Sequence, residues 1–137
     1  MSRILCIDFG LKRSGIAVTD PLKIISTALD TVETGTLITF LKEYIANEAV
    51  ELFLIGDPKN LDGSDTHATG PVANFIHRLK KEFPMIPVQT IDERYSSKRA
   101  SQAMIDMGMK KMRRRDKGMI DQIAAAMMLQ EYLSNRS

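Results

Sequence analysis

The spacing of apolar and polar residues changes several times along the chain, and each change marks an element. Residues 3–9 and 14–19 are short apolar runs parted by a Gly-containing turn, which predicts two strands of a β-hairpin. The segment 24–32 alternates loosely and is rich in β-forming residues, so a third strand is expected there. Over 36–48, Leu37, Phe40, Leu41, Tyr44 and Ile45 recur at helical spacing. Residues 50–56 read as a buried strand, ended by Gly56 and Pro58. Beyond a loop at 57–65, Val72, Phe75, Ile76 and Leu79 share one face of a helix over 66–82. A short strand at 86–91 follows Pro84 and Pro87. Two further helices are predicted, over 97–108 and 117–134. Ser96 or Ser97 caps the first, which stops at Gly108, and Asp116 caps the second.

This order predicts a mixed α/β fold with a five-stranded sheet. The opening three strands should be antiparallel, the later strands, each reached through a helix, parallel, and helices should cover both faces. A chain of 137 residues, 44% hydrophobic and 26% charged, suits one globular domain spanning 1–137. No apolar stretch approaches the roughly 20 residues of a membrane span, and the N-terminus does not read as a signal peptide. The single cysteine, Cys6, excludes an internal disulfide. A cytoplasmic protein without membrane contact is the expectation.

Net charge is only +2, but it is unevenly placed. Lys110, Lys111, Arg113, Arg114, Arg115 and Lys117 crowd into eight residues with one acid, Asp116, while the remainder sums to −3. A mildly acidic body with one basic segment suggests a polyanionic partner; a solvated loop is the plainer alternative.

The acids carry the candidate chemistry. Asp8 ends the first strand, Asp92 and Glu93 follow the strand at 86–91, and Asp121 lies on the last helix in phase with Ala125, Met128 and Tyr132. A carboxylate at a buried strand end or on an apolar helix face is costly without a partner. Its oxygens are hard ligands suited to Mg²⁺ or Mn²⁺. Carboxylates on rigid elements can hold paired divalent ions that activate water against a phosphodiester. The alternative is a turn residue, an Arg94-paired Glu93 and a local cap, and spacing alone does not choose.

Four stretches, in order, weigh on that choice: Asp8–Gly15, Ile55–Ser64 (IGDPKNLDGS), Asp92–Ser97 (DERYSS) and Ile120–Ala125 (IDQIAA). Together they closely resemble the YqgF family of Holliday-junction-resolvase-like proteins linked to pre-16S rRNA processing. That resemblance implies an RNase H-like fold and a metal-dependent nuclease, with Mg²⁺ or Mn²⁺ as cofactor and Asp8, Glu93 and Asp121 as catalytic, metal-holding acids. Asp92 precedes Glu93 in the family's Asp-Glu-Arg triplet. Asp57 stands where the family usually has Leu, so it is an additional candidate acid, with a turn role as the alternative.

Nucleic-acid contacts are expected from Lys12 and Arg13 beside Asp8, from Lys59 in the 57–65 loop, from Arg94, and from the basic segment. His67 and His77 lack metal-ligand spacing and read as structural or surface residues. Pre-rRNA is the expected substrate, with ribosomal particles as partners and branched DNA as the alternative. A non-catalytic RNA-binding assembly factor is a second class. An actin-like ATPase is a third, disfavoured because such enzymes clamp nucleotide between two related domains. Monomer and homodimer both remain open.

Overall fold

The computed structural model describes residues 2–57, 69–92 and 117–135, with backbone alone at 57, 69, 92, 117–121 and 135. The described elements are β1 (Arg3–Asp8), β2 (Arg13–Thr19), β3 (Ser26–Glu33), α1 (Leu37–Asn47), β4 (Val50–Asp57), α2 (Thr69–Glu82), β5 (Val88–Asp92) and α3 (Lys117–Asn135). A single 3-10 turn, Thr34–Thr36, leads into α1. The helix expected over 97–108 and its Ser96 or Ser97 cap lie outside the described residues, as do Asp116 and positions 66–68.

The five strands form one sheet in the order β3-β2-β1-β4-β5. β1–β2 and β2–β3 are antiparallel, and β1–β4 and β4–β5 are parallel, as expected from the hairpin spacing and the helical crossovers. β1 therefore sits at the centre with both faces covered. Leu5 and Ile7 join Ile16, Phe53 and Ile55 on the side of α1 and α2, where Leu37, Leu41, Val72, Phe75 and Leu79 close the core. Ile4 and Cys6 join Ala17 and Leu54 against Ala125, Met128 and Leu129 of α3. Coverage on both faces is why β1 and β4 read as unbroken apolar runs rather than as alternation. Each fully buried large side chain among them contributes about 1.5–3 kcal/mol.

The β1–β4 ladder shifts register between Arg3 and Ile4, and β3 carries a second departure from regular pairing. Its register with β2 shifts between Ile16, paired with Asp30, and Ala17, paired with Ala28. Leu29 is thus the extra residue of a β-bulge, which explains the loose pattern of 24–32. The strand also starts two residues later than expected. Both Asp20 carboxylate oxygens accept backbone N–H groups, from Leu22 at 3.1 Å and from Ile24 and Ile25 at 2.8 Å each. Those amides are thereby held in a turn, and the side chains of Ile24 and Ile25 stay exposed.

Candidate active site

Asp8 is the last residue of β1. Its strand phase is that of Ile4 and Cys6, the side of the sheet covered by α3. The residue is half-buried. Its cross-strand partner on β2 is Gly15, which brings no side chain to the row, and Gly15 in turn pairs with Thr31 of β3. On the other side of β1 the parallel ladder runs to Ile7 opposite Ile55, and the β4–β5 ladder ends at Asp57 opposite Asp92. The C-terminal ends of β1, β4 and β5 therefore lie side by side. Positions 57 and 92 have the phase of Phe53, Ile55 and Val88, the α1–α2 side, which is opposite to the phase of Asp8.

The direction of α3 follows from three hydrogen bonds. Gln122 Nε2 donates to Thr31 Oγ1 at 3.3 Å. Ser26 Oγ donates to the Ala126 carbonyl at 2.7 Å, and the Ser26 amide donates to Gln130 Oε1 at 3.2 Å. Thr31 belongs to the Asp8–Gly15 row, whereas Ser26 pairs with Thr19, and Thr19 Oγ1 accepts the Ile4 amide at 3.0 Å. The helix thus runs antiparallel to β1, with its first turns at the Asp8 end. Residue 121 precedes Gln122 and lies one turn before the buried Ala125, so the backbone at Asp8 and at Asp121 shares one end and one face of the sheet. Glu93 follows β5 directly in sequence and lies outside the described residues. So do Lys59, Arg94, Lys110, Lys111, Arg113, Arg114 and Arg115; Lys117 opens α3, its side chain not described.

The turn after Asp8 brings Lys12 and Arg13 to the same end. Gly10 is required there by close approach, because a Cβ at this position would stand 2.2 Å from the Arg13 carbonyl oxygen. Lys12, Arg13, Glu33 and Gly35 line an open cleft of about 650 Å³. Arg13 and Glu33 are cross-strand partners. Two hydroxyls fasten this turn, and the sequence reading did not single them out. Ser14 Oγ accepts the Gly10 amide at 3.3 Å, and it lies 2.8 Å from Thr34 Oγ1. Thr34 Oγ1 donates to the Gly10 carbonyl at 2.6 Å, and the Thr34 amide donates to the Lys12 carbonyl at 2.9 Å. The available signal was Ser14 itself, a hydroxyl opening an otherwise apolar run and wholly buried.

Structural ion pairs occupy the opposite end. Arg3 Nε meets Glu48 at 3.2 Å, with Arg3 also donating to the Thr19 carbonyl, and Lys23 Nζ meets Glu51 at 2.7 Å. The Ile25 amide, with those of Ile24 and Leu22, holds the Asp20 carboxyl below its usual range against a smaller opposing effect of burial. Burial pushes the Tyr44 hydroxyl up. Among the described side chains no group of three His, Cys, Asp or Glu is assembled to hold a metal, Glu93 and the Asp121 side chain being outside them. The oxygen-only donors at the Asp8 end, on a strand and a helix, fit a hard divalent cation in their chemistry.

A central strand flanked by an antiparallel pair and a parallel pair, with helices on both faces, defines the RNase H-like class of α/β folds. The same fold is seen in T. thermophilus RuvC in complex with Holliday junction substrate, with a TM-score of 0.58 at 17% identity over 99% of this chain and 96% of that one. Within that class, the chain belongs to the RuvX family, described as Holliday junction resolvase, whose model matches residues 2–135. Curated relatives carrying the name "Putative pre-16S rRNA nuclease" include one from Flavobacterium johnsoniae, 48% identical over 136 residues and 99% of both chains. Another, from Christiangramia forsetii, is 47% identical over 133 residues, covering 97% of this chain and 98% of the relative. A third, from Porphyromonas gingivalis, is 44% identical over 135 residues, 98% of each.

Proposed function

We propose that this chain is a divalent-metal-dependent nuclease that hydrolyses phosphodiester bonds of RNA, acting in 5′-end processing of pre-16S rRNA in the cytoplasm, with Asp8, Glu93 and Asp121 as its catalytic acids. The observation that carries the reading is the shared end and face of Asp8 and the first turns of α3, fixed by the Gln122–Thr31 hydrogen bond on the Asp8–Gly15–Thr31 row. Family membership and the names of the relatives support the chemistry. In open α/β sheets, ligands bind beyond the carboxyl ends of strands where neighbouring connections diverge. Here β1 continues to β2 on one side, while β4 continues through α2 towards β5 on the other.

Asp8, Glu93 and Asp121 would hold Mg²⁺ or Mn²⁺, which supplies Lewis acidity toward the phosphodiester oxygens and lowers the pKa of a bound water. The acids also orient the attacking water for in-line displacement, without a covalent enzyme intermediate. Lys12 and Arg13 hold a phosphate of the substrate strand from the cleft they line. The basic segment adds sequence-independent affinity. Asp57 and Asp92 end β4 and β5 on the strand phase opposite to that of Asp8 and are additional candidate acids.

The test measures Mg²⁺- or Mn²⁺-dependent cleavage of precursor-rRNA-like RNA by the wild type and by Asp8→Asn. The wild type should cut, and Asp8→Asn should lose on the order of 10²-fold or more of the rate while keeping its fold. Equal cleavage by the variant would sink the site. Salt-dependent RNA binding without cleavage under any divalent ion would make the protein a binding factor. The family description favours a second reading, resolution of branched DNA, and a four-way DNA junction in the same assay decides between the substrates.

A further inference from the structure

The turn that joins β1 to β2 is closed by hydroxyl groups that have no place in the mechanism above. Gly10 donates its amide to Ser14 Oγ, and Thr34 Oγ1 donates to the Gly10 carbonyl. Thr34 has one hydroxyl proton, and that bond uses it. The 2.8 Å contact between the two hydroxyls must therefore be donated by Ser14. The direction of every proton is then fixed. It runs from the Gly10 N–H to Ser14, from Ser14 to Thr34, and from Thr34 back to the Gly10 carbonyl. Three bonds form a ring that begins and ends on one glycine, each donor also acting as acceptor, the arrangement in which hydrogen bonds polarise and strengthen one another.

The ring joins three separate parts of the chain. Gly10 lies two residues past Asp8, Ser14 is a wholly buried residue of β2, and Thr34 starts the 3-10 turn beyond β3. Thr34 adds a fourth bond from its own amide to the Lys12 carbonyl. Both ends of the segment 10–12 are thus pinned to one threonine, with Asp8 just before the segment and Arg13 just after it. The apolar core fixes β1 and β2, and the ring, besides satisfying the buried Ser14 hydroxyl, grips the exposed turn that bears the two cations.

We infer that Ser14 and Thr34 are positioning residues of the nuclease site, setting the Asp8 carboxylate and the Lys12–Arg13 cations in register with one another through Gly10. The inference rests on the proposed role of Asp8. Catalytic groups displaced by about 1 Å can lose on the order of 10²-fold in rate, so a turn held by four bonds is a rate-determining support even though neither hydroxyl touches substrate.

The experiment compares Thr34→Val, which keeps the shape and removes the hydroxyl, with Thr34→Ser, which restores it. Cleavage of the precursor-rRNA-like RNA and of the four-way DNA junction is followed at 25 °C, with Asp8→Asn alongside. Thr34→Val should lower kcat roughly 10-fold or more and raise the Mg²⁺ concentration giving half-maximal rate, and Thr34→Ser should stay within about 2-fold of the wild type. Ser14→Ala should behave as Thr34→Val and carries the same comparison if the valine variant does not fold. A folded Thr34→Val or Ser14→Ala protein with wild-type kcat and metal dependence overturns the inference, even if its melting temperature has dropped. Undiminished cleavage by Asp8→Asn would instead overturn the site reading itself, so the two failures are distinguishable.

Discussion

At the scale of single residues, short polar side chains organise both ends of the sheet. Asp20 collects three amides and so shapes the β2–β3 connection, in which Lys23 adopts a left-handed φ of 59°. Because the Ile25 amide above all stabilises the ionised form, the Asp20 carboxyl titrates below its ordinary 3.8. A depressed carboxyl contributes stability that is present above the unfolded-state pKa and is lost as pH falls through the folded value. The turn should therefore hold its order through pH 4 and loosen only in more acidic solution. Amide shifts of Ile24 and Ile25, followed by NMR against pH, should report a midpoint under 3.8; a midpoint at or above that value contradicts the account. The β1–β2 turn was legible only in part. Gly10, Lys12 and Arg13 read as a hairpin connection beside an acid, but Thr34 lies 24 residues from Gly10, and no local pattern links a threonine to a carbonyl so far away in the chain.

Among the elements, α3 does two jobs with one face. Ala124 and Ala125 let it approach the sheet closely, Met128 and Leu129 fill the space beyond, and Gln122 ties its start to β3. Replacing Ala125 by Leu would force extra volume between helix and sheet one turn from Asp121, an overpacking cost of about 1–3 kcal/mol. Ala125→Leu should melt several degrees lower yet lose far more cleavage than its residual stability explains, read as specific activity at 25 °C against the melting temperature by circular dichroism. Unchanged specific activity would show that the helix does not position the site. The period of 36–48 and of 72–79 gave both other described helices within a few residues, because their apolar stripes face one deep core. The start of β3 was misplaced because the Asp20 turn overrides the β preference of Ile24 and Ile25.

For the whole molecule, the division between ends is the main lesson. Ion pairs from Arg3 and Lys23 secure the end where β1 starts, and the candidate chemistry gathers where β1, β4 and β5 finish. Alternation and turn residues predicted the sheet and its strand directions, and the carboxylate at the first strand end was visible at once. That the backbone at Asp8 and at Asp121 shares one face was not visible, since that depends on strand phase and on the direction of α3, both fixed by long-range packing. The uneven charge makes a further prediction. If the basic segment touches substrate backbone, changing Lys110, Lys111, Arg113, Arg114, Arg115 and Lys117 to Gln should weaken RNA binding. It should also flatten the dependence of log affinity on log salt by up to about 4, at roughly 0.7 for each single-strand phosphate no longer neutralised. An unaltered slope in fluorescence anisotropy titrations would return the segment to the solvent.

The bulge at Leu29 gives this fold a spare residue. Removing Leu29 would leave Ala28 opposite Ala17 and Asp30 opposite Ile16, with all later pairs intact, so the chain can shorten at that point without changing frame. The same deletion would straighten a strand that, among the described residues, pairs on one side only. A regular border of unsatisfied amides and carbonyls is a template for another molecule. A Leu29 deletion is thus expected to fold and keep its nuclease activity while self-associating, visible as concentration-dependent light scattering absent from the parent.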